Sequence, residues 1–290
     1  MDDDIPRLLP SDIETARSLL FVPGDRPDRF EKAAASGADA VICDLEDAVA
    51  PERKAVAREN VASWLGRTGV ACVRVNAMDS PYFDDDCAAL ATLPGLRGVV
   101  VPKATEPAAL AALGAVLGAG VRIVALIESA LGLQRAYEIA ATPEVARLAF
   151  GSIDFALDIG AIEDDVSLLY ARSALVVASR AANISAPVDG VTTALTDAEL
   201  VGAATLKARQ LGFSGKLCVH PGQVGAVNQA FMPTDDEVRW ARRVVENAAD
   251  DRASRVDGLM VDKPVAERAR RILRRAGSST TSADHQRSAP

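Results

Sequence analysis

Eight short runs of apolar, often β-branched residues recur along this chain, separated by segments with the three- and four-residue apolar spacing of amphipathic helices. No other feature constrains the fold as strongly. The runs cover residues 18–22, 39–43, 70–75, 97–101, 121–128, 148–154, a weak 188–191, and 216–219. Helical spacing fills 28–36, 51–65, 106–117, 131–141, 167–182 and 197–211. A strand that returns to its neighbour through a helix pairs in parallel with a right-handed crossover. Eight such units, spaced by roughly 25 residues, predict an α/β fold closed into a (β/α)8 barrel with extra C-terminal helices. An open doubly wound sheet is the alternative, weakened because no Gly-rich dinucleotide fingerprint follows the first run.

The domain organisation follows from that count. Residues 1–16 form a polar lead-in in which Ser11 and Glu14 have capping-box spacing. The barrel occupies 17–232, two further amphipathic helices at 234–248 and 263–276 make an extension over 233–276, and 277–290, rich in Ser, Thr and Ala, is expected to be disordered. With 290 residues, 49% hydrophobic and 25% charged, the chain is long enough for one barrel with ends to spare. A net charge of −8 argues against nucleic acid or an anionic membrane as the main partner. No run approaches a membrane span and no apolar leader opens the chain, so a cytoplasmic protein is expected. Cys43, Cys72, Cys87 and Cys218 lack CxxC spacing and read as buried reduced thiols; with two histidines in all, a zinc site is disfavoured.

The strand ends carry the chemistry. The run 121–128 closes on Glu128, and 148–154 closes on Asp154. A strand-helix-strand unit places both at the same end of the sheet, where two converging carboxylates call for a hard cation such as Mg²⁺ or serve as helix caps and surface charges. Closing the barrel brings Asp44, Glu46, Asp47, Arg74, Lys103 and His220 to the same rim. Arg74 could present its planar fork to a substrate carboxylate or neutralise Asp44, Glu46 and Asp47. His220, followed by proline, fits a hydrogen-bonded rim residue better than a base, and Lys103 reads as structural or electrostatic.

The ordered motifs Arg17–Pro27, Phe30-Glu31-Lys32-Ala33, Asp44-Leu45-Glu46-Asp47-Ala48-Val49, Arg74-Val75-Asn76, Val101-Pro102-Lys103, Ile127-Glu128-Ser129, Phe150–Asp154 and His220-Pro221-Gly222-Gln223 closely resemble the citrate lyase beta subunit family. That family belongs to the wider group of HpcH/HpaI aldolases and malyl-CoA lyases. The resemblance implies a TIM barrel, usually a homotrimer or hexamer, that uses Mg²⁺, with Mn²⁺ as a substitute, to cleave or form a carbon-carbon bond in a 3-hydroxyacyl thioester. Carried over residue by residue, it implies Glu128 and Asp154 as metal ligands and Arg74 and Glu128 as substrate-binding and catalytic groups. It places Asp44, Glu46 and Asp47 near the metal and its waters, and Arg26, Arg29 and Lys32 in the region meeting the nucleotide end of coenzyme A. Asp262, in Met260-Val261-Asp262-Lys263-Pro264, is the implied acid/base acting in a neighbouring subunit; a helix cap ahead of Pro264 is the other reading. Ser129 stands where the family usually has threonine.

The expected function is cleavage or formation of a thioester such as citryl-CoA or malyl-CoA, giving a short acyl-CoA and a 2-oxo acid such as oxaloacetate. Such a reaction needs a base for the C3 hydroxyl, a Lewis acid for the oxygen that becomes a carbonyl, and stabilisation of the departing enolate. An aldolase acting on free 2-oxo acids and a carrier-protein-dependent subunit of a citrate lyase complex are the alternatives.

Overall fold

The computed structural model of the chain describes residues 12–118, 120–247, 254–256 and 259–283. It divides into two compact units, Met1–Phe231 and Met232–Pro290. In the first, eight parallel strands close in sequence order: β1 (Ser18–Pro23), β2 (Ala40–Asp44), β3 (Ala71–Arg74), β4 (Leu96–Val101), β5 (Arg122–Ile127), β6 (Val145–Phe150), β7 (Val188–Asp189) and β8 (Gly215–Cys218). The expected TIM barrel is the observed fold. Alternation along each strand divides the apolar residues into two layers. Leu19, Ile42, Cys72, Val100, Val124, Leu126, Ala149, Val188 and Leu217 fill the barrel interior, and Leu20, Val22, Cys43, Val73, Val99, Val101, Leu148 and Phe150 face the helices. Each fully buried aliphatic side chain contributes about 1.5–3 kcal/mol of transfer free energy.

The N-terminal end of the barrel is sealed by a charge. Arg147, fully buried on β6, donates from Nη1 to the Ile13 and Ala16 carbonyls (3.0 and 2.8 Å), from Nε to Ala186 O (2.9 Å) and from Nη2 to Ser214 Oγ (2.9 Å). The lead-in therefore contributes a short helix, Asp12–Thr15, whose Ile13 is a core residue, as is Ala16 just after it. Ser11 lies outside the described residues.

Several expected boundaries move. The 131–141 helix is two, Ala130–Gln134 and Ala136–Ala140, broken at Arg135; Leu133, Ile139 and Ala140 are buried, but Leu131 and Tyr137 are about half exposed. The acidic stretch 79–86 is not all loop: its end enters a helix, Phe83–Leu90, with Asp86 fully buried. All four cysteines are free and buried, as expected, and burial pushes the Cys218 thiol up to about 12 and Cys87 to about 11. No helix among the described residues is long and apolar enough to cross a membrane.

The second unit pairs helices Asp235–Asn247 and Lys263–Ala283 with an antiparallel ribbon, Ser254–Val256 and Leu259–Val261. Its small core comprises Ala241, Val244, Val261 and Ala269. The last helix runs to Ala283, beyond Ala276 and into the stretch expected to be disordered; residues 284–290 lie outside the described set.

Candidate active site

The inward parity of the strands predicts what reaches the mouth. Two residues beyond Ile42 is Asp44, two beyond Cys72 is Arg74, and two beyond Leu126 is Glu128, so all three continue the interior rows at the C-terminal rim. Asp44 and Arg74 are also direct register partners on β2 and β3. Arg74 forks onto Asp44, Nε to Oδ1 at 2.7 Å and Nη2 to Oδ2 at 2.6 Å. Its Nη1 lies 3.0 Å from Glu46 Oε2 and 3.5 Å from Asp47 Oδ2, and its face stacks 4.8 Å above the Phe21 ring. Burial works against the guanidinium charge, but Asp44, then Glu46 and Asp47, outweigh it and hold the Arg74 pKa above its ordinary value. The neutralising role is therefore present, and the fork that the sequence offered to substrate is taken by Asp44. The Nη1 edge is the one facing Glu46 and the exposed Asp47.

Glu46 links the arginine to the next strand ends. Lys103 Nζ donates to Glu46 Oε1 at 2.9 Å, and the Lys103 backbone N–H donates to Glu128 Oε2 at 2.7 Å. Lys103 adopts φ +51°, a left-handed conformation unusual outside glycine, directly after β4 and Pro102. Glu46 Oε2 approaches Arg74 without hydrogen-bond alignment and is a buried oxygen lacking a hydrogen-bond partner. Burial raises the Glu46 pKa against the pull of Arg74 and Lys103. Two glycines make room for the cluster. Gly24 donates its N–H to Asp44 O at 2.8 Å, where a Cβ would come within 2.8 Å of that oxygen, and a Cβ on Gly151 would lie 2.4 Å from Glu128 Cγ.

Glu128, 5% exposed, is pushed up to about 7 by burial first, with the Glu46 and Asp154 charges adding and the Lys103 N–H opposing. Asp154 does not end a strand. β6 stops at Phe150, and Asp154 is the third residue of the helix Ser152–Asp158, half-buried and near enough for its charge to act on Glu128. The strand reading failed there because Ser152 and the following residues continue the apolar composition into a helix.

The donor set fits a hard divalent cation. Mutually repelling carboxylates, one buried and held near neutrality by its surroundings, are what such an ion would compensate. Among the described residues no three acidic, His or Cys groups form a cage, so Glu128 and Asp154 would leave most of the coordination sphere to water and substrate oxygens, the usual manner for Mg²⁺.

The other sequence candidates have partners or settings of their own. Arg26 forks onto Asp28 (3.0 and 2.9 Å), and Arg26, Arg29 and Lys32 are exposed on the turn and short helices after β1. His220 Nδ1 accepts the Gly222 N–H at 3.1 Å in a capping box with Gln223, the rim role expected of it. Asp262, in the second unit, accepts the Val265 N–H on Oδ1 at 3.1 Å and caps the last helix. Sequence reasoning missed Lys54, Arg58 and a buried Asp86. A signal was present, since Lys54 is in phase with Ala57, Val61 and Trp64 on the buried stripe of its helix.

An eight-stranded parallel barrel whose C-terminal mouth joins buried carboxylates to an arginine and a lysine has the architecture of a barrel enzyme. Residues 17–221 match the family model described as HpcH/HpaI aldolase/citrate lyase. A citrate lyase subunit beta-like protein from Deinococcus radiodurans is 40% identical over 276 residues, covering 89% of this chain and 96% of the relative. A (3S)-malyl-CoA thioesterase from Cereibacter sphaeroides is 34% identical, covering 90% and 94%. The crystal structure of CitE from Mycobacterium tuberculosis in complex with magnesium, acetoacetate and coenzyme A superposes with a TM-score of 0.79 at 33% identity, covering 91% of this chain and 98% of that one. The chain belongs to the HpcH/HpaI aldolase/citrate lyase family and is an enzyme of its lyase class.

Proposed function

We propose that the chain is a Mg²⁺-dependent carbon-carbon lyase that cleaves or forms a 3-hydroxyacyl-CoA thioester such as citryl-CoA or malyl-CoA, with a short acyl-CoA and a 2-oxo acid as the other partners. The observation that carries this reading is the continuous Asp44–Arg74–Glu46–Lys103–Glu128 network at the mouth, with Asp154 beside it. Glu128 and Asp154 would hold Mg²⁺, or Mn²⁺ in its place; when bound, the ion supplies Lewis acidity for the oxygen that becomes the 2-oxo carbonyl. In the cleavage direction the C3 hydroxyl loses its proton, the C2–C3 bond breaks, and its electron pair passes into the thioester enolate, which is protonated to the acyl-CoA.

Arg74 binds the oxo-acid part of the substrate, and Asp44, which takes the Nε and Nη2 donors, sets the direction in which the guanidinium points. Lys103 offsets part of the burial that raises the Glu46 pKa and orients Glu128 through its backbone N–H. Arg26, Arg29 and Lys32, exposed and basic, meet the phosphates of coenzyme A. Asp262 transfers the proton to or from the enolate carbon, acting in a neighbouring subunit of a cytoplasmic homotrimer or hexamer.

A second reading, hydrolysis of the thioester, is favoured by the relative named as a thioesterase. A panel of 3-hydroxydiacyl-CoA thioesters, with products identified by mass, decides between them. A 2-oxo acid plus a shortened acyl-CoA supports the lyase; free coenzyme A plus the intact hydroxy diacid supports hydrolysis; turnover of free hydroxy-oxo acids alone supports an aldolase. Activity on carrier-protein thioesters alone supports the complex subunit.

A further inference from the structure

The helix Lys54–Leu65 packs Ala57, Val61, Trp64 and Leu65 into the core, and Lys54 lies on the same stripe with 7% exposure. Its ammonium is stabilised by what Nζ touches, since burial has removed water. Nζ donates to the carbonyl oxygens of Leu45 at 2.7 Å and Glu46 at 2.8 Å, and lies 5.8 Å from the centre of the Tyr82 ring. One turn further along, Arg58 donates from Nε to Asp86 Oδ1 at 2.9 Å. Asp86, fully buried, accepts the backbone N–H and Nδ2 of Asn76 on Oδ2, at 3.0 and 2.6 Å. One helix face thus reaches two rim loops. The first follows β2 and carries Glu46 and Asp47; the second follows β3 and begins immediately after Arg74.

The first loop needs such a hold. Four of its amides are held by the rim itself: Leu45 N–H to Arg74 O at 2.9 Å, Glu46 N–H to Asp44 Oδ1 at 2.9 Å, Ala48 N–H to Asp44 Oδ2 at 3.1 Å and Val49 N–H to Glu46 O at 3.0 Å. The ammonium of Lys54 adds the donor for Leu45 O; burial lowers its pKa, and the charges of Asp44, Glu46, Asp86 and Asp47 oppose that loss. None of Lys54, Arg58 or Asp86 takes part in the chemistry proposed above.

We propose that Lys54 and the Arg58–Asp86 pair are positioning residues: a buried brace on one helix that fixes the loops after β2 and β3 and thereby aligns Glu46 with Arg74 at the mouth. The inference rests on the proposed function only for the ligand the mouth receives, and the brace itself can be tested without one. Hydrogen–deuterium exchange of the full chain, read by mass spectrometry, compares wild type with Lys54→Met and Asp86→Asn. Loss of hydrogen bonds from a charged donor should speed exchange over residues 45–49 in Lys54→Met by about tenfold or more, and around Asn76 in Asp86→Asn by a similar factor, with β5 and β6 unchanged. Oxaloacetate affinity in the presence of Mg²⁺ should weaken by about tenfold in both variants. If Lys54→Met does not fold, Lys54→Gln keeps a donor for one carbonyl and should give a smaller, equally local rise. Exchange that is unchanged over 45–49, or raised equally throughout β5 and β6, would overturn the brace. Wild type that binds no oxo acid would count against the proposed function and leave the exchange result to decide the brace.

Discussion

Replacing Glu128 with glutamine should make the metal-free protein more stable at high pH and leave it nearly unchanged at low pH. Glu128 is 5% exposed, and burial, with the Glu46 and Asp154 charges, lifts its pKa from 4.5 to about 7. A carboxyl whose folded pKa exceeds its unfolded value gives a contribution to stability that is complete below the unfolded value and lost as pH rises through the folded one. The window is therefore pH 4.5 to about 7, and the gap corresponds to roughly 3 kcal/mol lost by wild type above it. Glutamine keeps an oxygen for the Lys103 N–H, 2.7 Å away in the wild type, and carries no charge to desolvate. Urea unfolding followed by circular dichroism in chelator, at about pH 5 and about pH 8, reads the effect: the variant's advantage should grow by roughly 2.5 kcal/mol between them. Saturating Mg²⁺ should stabilise wild type and not the variant, because only a state that binds the ligand gains from it. An advantage that is flat across pH would show that ionising Glu128 costs the folded state nothing.

Three other outcomes are expected. Arg74→Lys keeps a positive charge but cannot fork onto Asp44 while reaching substrate, so calorimetric affinity for oxaloacetate should fall about 10–100-fold. Asp262→Asn retains a good helix cap for Val265 N–H, so thermal stability should hold while turnover drops about 10²–10⁴-fold; mixing it with inactive Glu128→Ala chains should restore activity once subunits exchange, and no recovery would remove the role in trans. Arg147→Met strips the Ile13 and Ala16 carbonyls of their buried donor, at about 1–3 kcal/mol each, so the urea midpoint should fall while oxaloacetate binding at the opposite rim is kept.

What could be read from the sequence was whatever local periodicity encodes. The eight strands are legible because each is a buried run ended near a Gly, Pro or charge, although the weak run 188–191 overruns the two-residue β7, which stops at Asp189 ahead of Gly190. The acids and Arg74 are legible because a charge that abruptly ends an apolar strand has few places to go but the rim. Asp154 is assigned to the wrong element by local pattern, since Ser152, Ile153 and Phe155 suit strand and helix alike. The break at Arg135 carries no proline or glycine to announce it; Arg135 turns there to donate to Thr105 O at 3.1 Å, a tertiary contact that local spacing cannot encode. Lys54, Asp86 and Arg147 were hidden for the same reason. A charged residue in an apolar phase reads as an exception until its partners, 8 to 134 residues away for these three, are brought to it by the fold.

In the proposed function, Glu128 and Asp154 hold the ion against which the 2-oxo acid binds. Calorimetric titration of oxaloacetate into wild type and Asp154→Ala, each with Mg²⁺ and with chelator, tests it most directly. Binding that appears only in wild type with Mg²⁺, while Asp154→Ala keeps the wild-type circular dichroism spectrum, is the predicted result. Undiminished Mg²⁺-dependent binding in Asp154→Ala, or binding by wild type in chelator, would contradict it.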